Sequence, residues 1–251
     1  MAVLRSAMVF AAGLGTRMGE LTRSTPKPLV QVGGRALLDY ALTHFEQAGC
    51  ERIVVNCHYL GEQIAAHVAA RRGPSAIALS REEVLLETGG GVMQALPLLG
   101  EGPFFSANSD TIWLDHAGDS SALGRLSEAF DPARFDALLL LHPRERAIGY
   151  RGPGDFDLNE QGELVRSPSP RYVFSGLQIL TPALFAGRTV APFSLRELYR
   201  AAERPDGSLA RMGGLVHRGD WIHVGTPGEL REAERFFAGR PAGSAAPATP
   251  A

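Results

Sequence analysis

Val9-Phe10-Ala11-Ala12-Gly13-Leu14-Gly15-Thr16-Arg17-Met18 reads as a buried strand that breaks into a small-residue turn and ends on an arginine. Glycine and alanine at such a turn let backbone N–H groups close around an anion, and a polyphosphate is its natural guest. Two better-known phosphate loops do not fit. A dinucleotide-binding Gly-x-Gly-x-x-Gly fails because Met18 stands where the third glycine belongs, and no Gly-Lys-Ser/Thr occurs for a P-loop. The first fifteen residues also imitate a secretion signal, with Arg5 ahead of an apolar run. That run is short and dissolves into Gly13-Leu14-Gly15, which predicts a first strand instead.

Ten residues after Arg17 comes Thr25-Pro26-Lys27-Pro28-Leu29-Val30, where two prolines stiffen the backbone around a lysine. The chain has 24 arginines and this single lysine. A compact ammonium on a rigid stretch, following a phosphate loop and an arginine, suits a triphosphate whose charge spreads during reaction. Lys27 reads as an exposed loop residue whose loss affects turnover rather than folding.

Outward from the loop, strand-like runs at residues 7–12, 52–57, 76–80, 104–108 and 137–141 alternate with helical stretches at 36–48, 62–70 and 92–98. Most of the strand runs are continuously apolar, as expected when both faces of a sheet are covered. Strand, helix, strand in regular order predicts an α/β fold with a doubly wound, mostly parallel, Rossmann-like sheet. The second half predicts a hairpin around Asn159-Glu160-Gln161-Gly162, a long strand at 172–180, and helices opened by capping boxes at Ser194/Glu197 and Thr226/Glu229. The expected organisation is one domain over 1–238, nucleotide-binding to about 115 and sugar-binding from 116, with a disordered tail at 239–251.

With 251 residues, 45% hydrophobic content and a formal charge of −2, the chain is neither disordered nor a dedicated nucleic-acid binder. No apolar run approaches a membrane span, and Cys50 and Cys57 are too few for a disulfide framework. A cytoplasmic location is expected, without nucleic-acid or membrane partners; oligomeric state is not legible.

Asn108-Ser109-Asp110 follows a strand, where open α/β sheets place their ligand crevice. Asp110 is the candidate ligand for Mg²⁺, which favours oxygen donors and retains substrate phosphates in its shell.

Together, Ala11 to Met18 and Pro26-Lys27-Pro28-Leu29 resemble the signature of the sugar-1-phosphate nucleotidyltransferases, the nucleoside-diphosphate-sugar pyrophosphorylases. The resemblance continues through Glu87-Thr88-Gly89-Gly90-Gly91, Asn108-Ser109-Asp110, Gly154-Asp155-Phe156, Phe174-Ser175-Gly176 and Trp221 to Thr226. It implies a nucleotide-diphospho-sugar transferase fold that joins a nucleoside triphosphate to a sugar 1-phosphate and releases pyrophosphate. Short length and Glu-Thr-Gly-Gly-Gly point to members that use UTP and N-acetylmuramate 1-phosphate in peptidoglycan recycling. A mannose- or heptose-1-phosphate guanylyltransferase is the alternative within the class, and a catalytically impaired nucleotide-binding regulatory subunit the alternative outside it.

By the same resemblance Arg17, Lys27 and Asp110 are catalytic. Ala12, Gly13, Leu14, Gly15, Thr16, Glu82 or Glu83, Thr88, Gly89 and Asn108 surround the nucleotide. Gly154, Asp155, Ser175 and Gly176 line the sugar pocket, with Arg166 or Arg171 for its phosphate. Relatives carry glycine at Ser109, which implies a tighter nucleotide approach here. They also place a second metal carboxylate at the position of His223. Imidazole is a poorer partner for Mg²⁺ and a better one for Mn²⁺ or another softer ion.

Overall fold

The computed structural model describes residues 4–240. Strand β1, Ser6–Phe10, lies at the centre of the α/β fold, and its alternate side chains enter two different cores. Ala7 and Val9 pack on one face, Met8 on the other, and all three are fully buried. A strand covered on both sides has no polar face, which is why its sequence does not alternate.

A short ribbon follows, β2 (Gln31–Val32) and β3 (Arg35–Ala36), then α1 (Leu37–Gln47), β4 (Arg52–Cys57), α2 (Gly61–Ala70), β5 (Ala76–Arg81), α3 (Glu87–Leu99) and β6 (Phe104–Asn108). Next come β7 (Thr111–Leu114), α4 (Ala122–Ala129), β8 (Ala137–Pro143), the hairpin β9 (Asp157–Leu158) and β10 (Glu163–Val165), and β11 (Tyr172–Leu180). The described chain closes with α5 (Leu195–Ala201), β12 (Ser208–Val216), β13 (Asp220–His223) and α6 (Pro227–Ala238).

Nine strands form one sheet in the order β5-β4-β1-β6-β11-β8-β12-β10-β9. β5, β4, β1 and β6 are parallel neighbours, β11 is antiparallel to both β6 and β8, and β12 runs parallel to β8. Seven of the nine strands therefore point the same way, with β10 and β11 reversed. β7 and β13 pair outside this sheet, Trp113 opposite Trp221, and both indoles are fully buried.

Several local expectations shift. β1 ends at Phe10 rather than Ala12, because Asn56 Oδ1 takes the Ala11 N–H at 2.7 Å and draws the chain out of the ladder. α3 begins at Glu87, so the glycine triplet forms its first turn instead of preceding it. Ser194 and Glu197 make the full reciprocal cap. Thr226 accepts from Glu229 N, but the Glu229 carboxylate turns away to Gly225 N and the His223 ring. Arg240 pairs with Asp220 at 2.9 Å and lies over the Phe236 ring, so the packed chain extends past 239. The rest of the expected tail lies outside the described residues.

Both cysteines are buried thiols, and among the described residues no helix is long and apolar enough to cross a membrane. Burial pushes His44, His142 and His217 down to about 4. They stay neutral in the folded chain, while the unfolded chain takes up protons near pH 6.5. Stability should fall as pH drops from 6.5 toward 4, by up to about 3 kcal/mol for each histidine. Denaturant midpoints across that range should show the slope, and His217→Gln should flatten it; a slope unchanged in the variant would count against His217 as a contributor.

Candidate active site

The loop after β1 leaves the sheet at Ala11 and turns at Gly15, whose φ is +65°. A side chain there would also meet Lys27 Cβ at 3.0 Å and Thr22 Cγ2 at 3.2 Å, so both conformation and space require glycine. The Gly15 carbonyl accepts from Met18 N and Thr22 Oγ1, each at 2.9 Å, and tightens the loop into a 3₁₀ segment over Thr16–Thr22. Lys27 opens a second 3₁₀ turn, Lys27–Leu29, set by extended Pro26. Its ammonium points inward and donates to Asp110 Oδ2 at 2.7 Å. Lys27 is 8% exposed, which corrects its reading as a surface lysine.

Asp110 sits just past β6, held from two sides. Ser109 Oγ donates to the Phe10 carbonyl at 2.7 Å, so this hydroxyl braces β6 against β1 and is spent on the backbone rather than facing a ligand. On the other side Val224 N donates to the Asp110 carbonyl at 2.9 Å, which brings the end of β13 alongside. Burial by itself would raise the Asp110 carboxyl. Lys27, His223 and Arg17 outweigh it and hold the group below the ordinary carboxylate range. The His223 ring stands beside this carboxylate with its Nδ1 3.1 Å from Glu229 Oε2. Asp220, three residues earlier, is turned away to Arg240.

Two cavities, of about 430 and 680 Å³, share a wall made by Arg17, Thr88, Asn108, Asp110 and Ser194. The smaller is lined by Ala12, Gly13, Gly15, Thr16 and Lys27 from the expected nucleotide set, together with Thr88 and Asn108. The larger is lined by Asp155 and Arg166 from the expected acceptor set, and by His223, the expected metal-side residue. Arg171 is instead paired with Asp157 at 2.8 Å.

Other expected contacts stand one layer back. Glu82 is buried, one carboxylate oxygen accepting from Asn56 Nδ2 at 2.7 Å and the other from Leu86 N at 2.9 Å. Gly89 and Gly90 donate to the Phe193 carbonyl, and a Cβ on Gly90 would lie 2.1 Å from the Ala191 carbonyl oxygen. These glycines admit a neighbouring strand of backbone rather than a ligand. Ser175 is fully buried and its carbonyl accepts from Trp221 Nε1, while Gly176 packs on Thr111 and Asn108. Gly154 (φ +92°) packs on the Pro170 and Tyr172 carbonyls, and Leu14 is exposed off the wall.

Wall residues that sequence reasoning missed include Asn56, Leu85 and Glu87 on the nucleotide side and Tyr150, Arg196 and Arg200 on the acceptor side. Glu87 adopts φ +58°, unusual for a residue with a side chain, and that strain at a cavity wall is the kind found at functional positions. Glu87 opens the Glu-Thr-Gly-Gly-Gly motif without having been assigned a contact; no motif marks the others, and only their convergence does.

The donor set suits a divalent ion that brings its own ligands. Among the described residues no group of three or more His, Cys, Asp and Glu side chains could cage a metal. One carboxylate, with an imidazole beside it, at the junction of two cavities fits an ion completed by substrate oxygens.

Comparison with known proteins agrees with this geometry. The sequence model of the MobA-like NTP transferase domain matches residues 7–212. The chain belongs to that family. This NTP transferase is 42% identical over 240 residues to the N-acetylmuramate alpha-1-phosphate uridylyltransferase of Caulobacter vibrioides, covering 92% of this chain and 96% of that one. It is 35% identical over 235 residues to the enzyme of the same name from Neisseria meningitidis serogroup B, covering 91% and 96%. Among solved structures, HddC from Yersinia pseudotuberculosis complexed with GMP-PN superposes with a TM-score of 0.73 at 20% identity, over 93% of this chain and all of that one. A putative glucose-1-phosphate thymidylyltransferase from Bacillus anthracis does so with a TM-score of 0.73 at 14% identity, over 94% and 96%. These neighbours share the nucleotide-diphospho-sugar transferase fold, as expected from the first strand and its loop.

In the transferase, removing one member of the Lys27–Asp110 pair strands the other in a confined site. Lys27→Met should cost about 2 kcal/mol of stability, and adding Asp110→Asn should recover part of that loss. Urea denaturation of the two single variants and the double completes the cycle; additive losses would show that the pair is not coupled.

Proposed function

We propose that this transferase joins UTP to N-acetylmuramate 1-phosphate and releases UDP-N-acetylmuramate and pyrophosphate, a step in peptidoglycan recycling in the cytoplasm. The observation that carries the reading is the meeting of two cavities at Asp110, with Arg17 on the shared wall and Lys27 bonded to Asp110 from the smaller one. The high identity to two uridylyltransferases over nearly the whole chain supports the choice of substrates. The nucleotide half runs to about residue 115 and the sugar half from 116 to 238, acting as one unit on a shared sheet.

In the proposed mechanism the triphosphate lies over the loop from Gly13 to Thr16, where backbone N–H groups face its oxygens. Arg17, whose side chain makes no hydrogen bond or ion pair among the described residues, is free to neutralise the β- and γ-phosphates. Lys27 stands between Asp110 and the α-phosphate, a compact charge at the point where equatorial oxygens gain charge. The acceptor phosphate oxygen is already anionic, so it attacks the α-phosphorus in line without a general base, and pyrophosphate leaves on the opposite side. Asp155 is positioned to accept from the sugar's hydroxyls or its amide. Asp110, with His223 beside it, would hold a divalent ion, Mg²⁺ first, and that ion would supply charge neutralisation for the triphosphate.

Pyrophosphate release should be fastest with UTP, N-acetylmuramate 1-phosphate and Mg²⁺ in a panel that includes CTP, GTP, dTTP and mannose 1-phosphate. A preference for GTP with mannose 1-phosphate would sink this reading in favour of a guanylyltransferase. No release from any combination would support a nucleotide-binding regulatory subunit. His223→Asp should raise the ratio of the Mg²⁺ rate to the Mn²⁺ rate in the same assay, because a carboxylate is the harder donor. An unchanged metal preference would remove His223 from the ligand set.

A further inference from the structure

Helix α5 contributes two arginines to the acceptor cavity and to no part of the nucleotide cavity. Arg196 and Arg200 are four residues apart, one turn, which places their stems about 6 Å apart on the same helix face. Leu195, Leu198 and Tyr199 are buried in the core, so the helix is fixed while its arginine face meets the cavity. Three further ties hold it there: the Ser194/Glu197 capping box, Leu195 N donating to Thr88 Oγ1 at 2.9 Å, and Tyr199 OH donating to Gln178 at 2.5 Å.

The two guanidiniums lack the carboxylate partners that several arginines of this chain have. Arg81, Arg151, Arg171, Arg204 and Arg211 each pair with an Asp or Glu. Among the described residues the side chains of Arg196 and Arg200 make no such pair and no hydrogen bond. Glu197, next to Arg196, is used in the cap. The acids nearest in the cavity are committed too: Glu203 lies 3.9 Å from Arg166, and Asp155 Oδ2 accepts from Phe174 N. Two like charges at i and i+4 repel, and here both guanidiniums are exposed on the cavity side of the helix.

The acceptor's phosphate does not account for this charge. It must lie at the shared wall to reach the α-phosphorus, where Arg17 stands and Lys27 is bonded to Asp110. A second anionic group on the acceptor, at the end of the cavity away from the nucleotide, is what two unpaired forks would bind.

We propose that Arg196 and Arg200 bind a carboxylate carried by the acceptor sugar, the lactyl group of N-acetylmuramate 1-phosphate, and so select it over sugars without that group. This rests on the reading of the acceptor given above. N-Acetylglucosamine 1-phosphate is the matched probe, since it differs only in lacking the lactyl ether.

The test compares kcat/KM for these two acceptors with UTP in the full chain. The wild type should favour the carboxylated acceptor by at least about tenfold, the scale of one charge-assisted pair. In Arg196→Ala/Arg200→Ala that ratio should fall to near one, through a higher KM for the carboxylated acceptor. Arg196→Lys/Arg200→Lys should keep part of the ratio, because charge is retained and the planar fork is lost. A wild-type ratio near one, or a ratio unchanged in the alanine pair while both acceptors still turn over, would overturn the assignment of α5 alone. No turnover of either acceptor by the wild type would overturn the functional reading and this assignment together.

Discussion

An ammonium and a carboxylate 83 residues apart in sequence meet at 2.7 Å where two cavities join, and much of the site depends on that contact. Lys27 reaches it because two prolines and a tight turn present the side chain inward. Asp110 reaches it because β6 pairs with β1 and ends at the same edge. Each charge is confined, and each needs the other until a triphosphate arrives with charges of its own. The pair thus compensates two confined charges at the junction of the cavities, with Arg17 beside it.

Around this contact the sheet divides the work. The parallel neighbours β4, β1 and β6 deliver the phosphate loop and Asp110 to one edge, as crossovers through helices oblige them to do. The antiparallel β11, inserted between β6 and β8, carries the acceptor wall against that edge. The glycine triplet of α3 joins the two sides. Gly89 and Gly90 let the segment before α5 approach closely enough for backbone hydrogen bonds, and Thr88 Oγ1 then receives Leu195 N. Geometry on the nucleotide side therefore sets the position of α5 on the acceptor side.

His223 shows how a local change of residue is accommodated. Its ring is held by packing near Trp221 and Tyr150 and lies beside Glu229. Glu229 was legible as half of a capping box, yet its carboxylate serves Gly225 and the imidazole instead. A carboxylate near a histidine fixes the ring's orientation, which a sequence pattern cannot express.

From the sequence by itself came the α/β class, the small-residue turn at Gly13 to Thr16, and Arg17, Lys27 and Asp110 as residues that belong together, which the structure brings to one cavity. These follow from local causes: continuous apolar runs, glycines at a turn, prolines around the one lysine, a carboxylate at a strand end. Tertiary structure alone decided which expected residues reach the cavities. Glu82, Gly89, Ser175 and Gly176 were expected at the ligand but face neighbouring backbone or side chains, whereas Asn56, Arg196 and Arg200 lie in no motif and line the cavities. It also decided the β7–β13 pairing of Thr111–Leu114 with Asp220–His223. The physical reason is the same in each case. A motif records which residue types recur together, but the direction of a side chain depends on packing between segments a hundred residues apart.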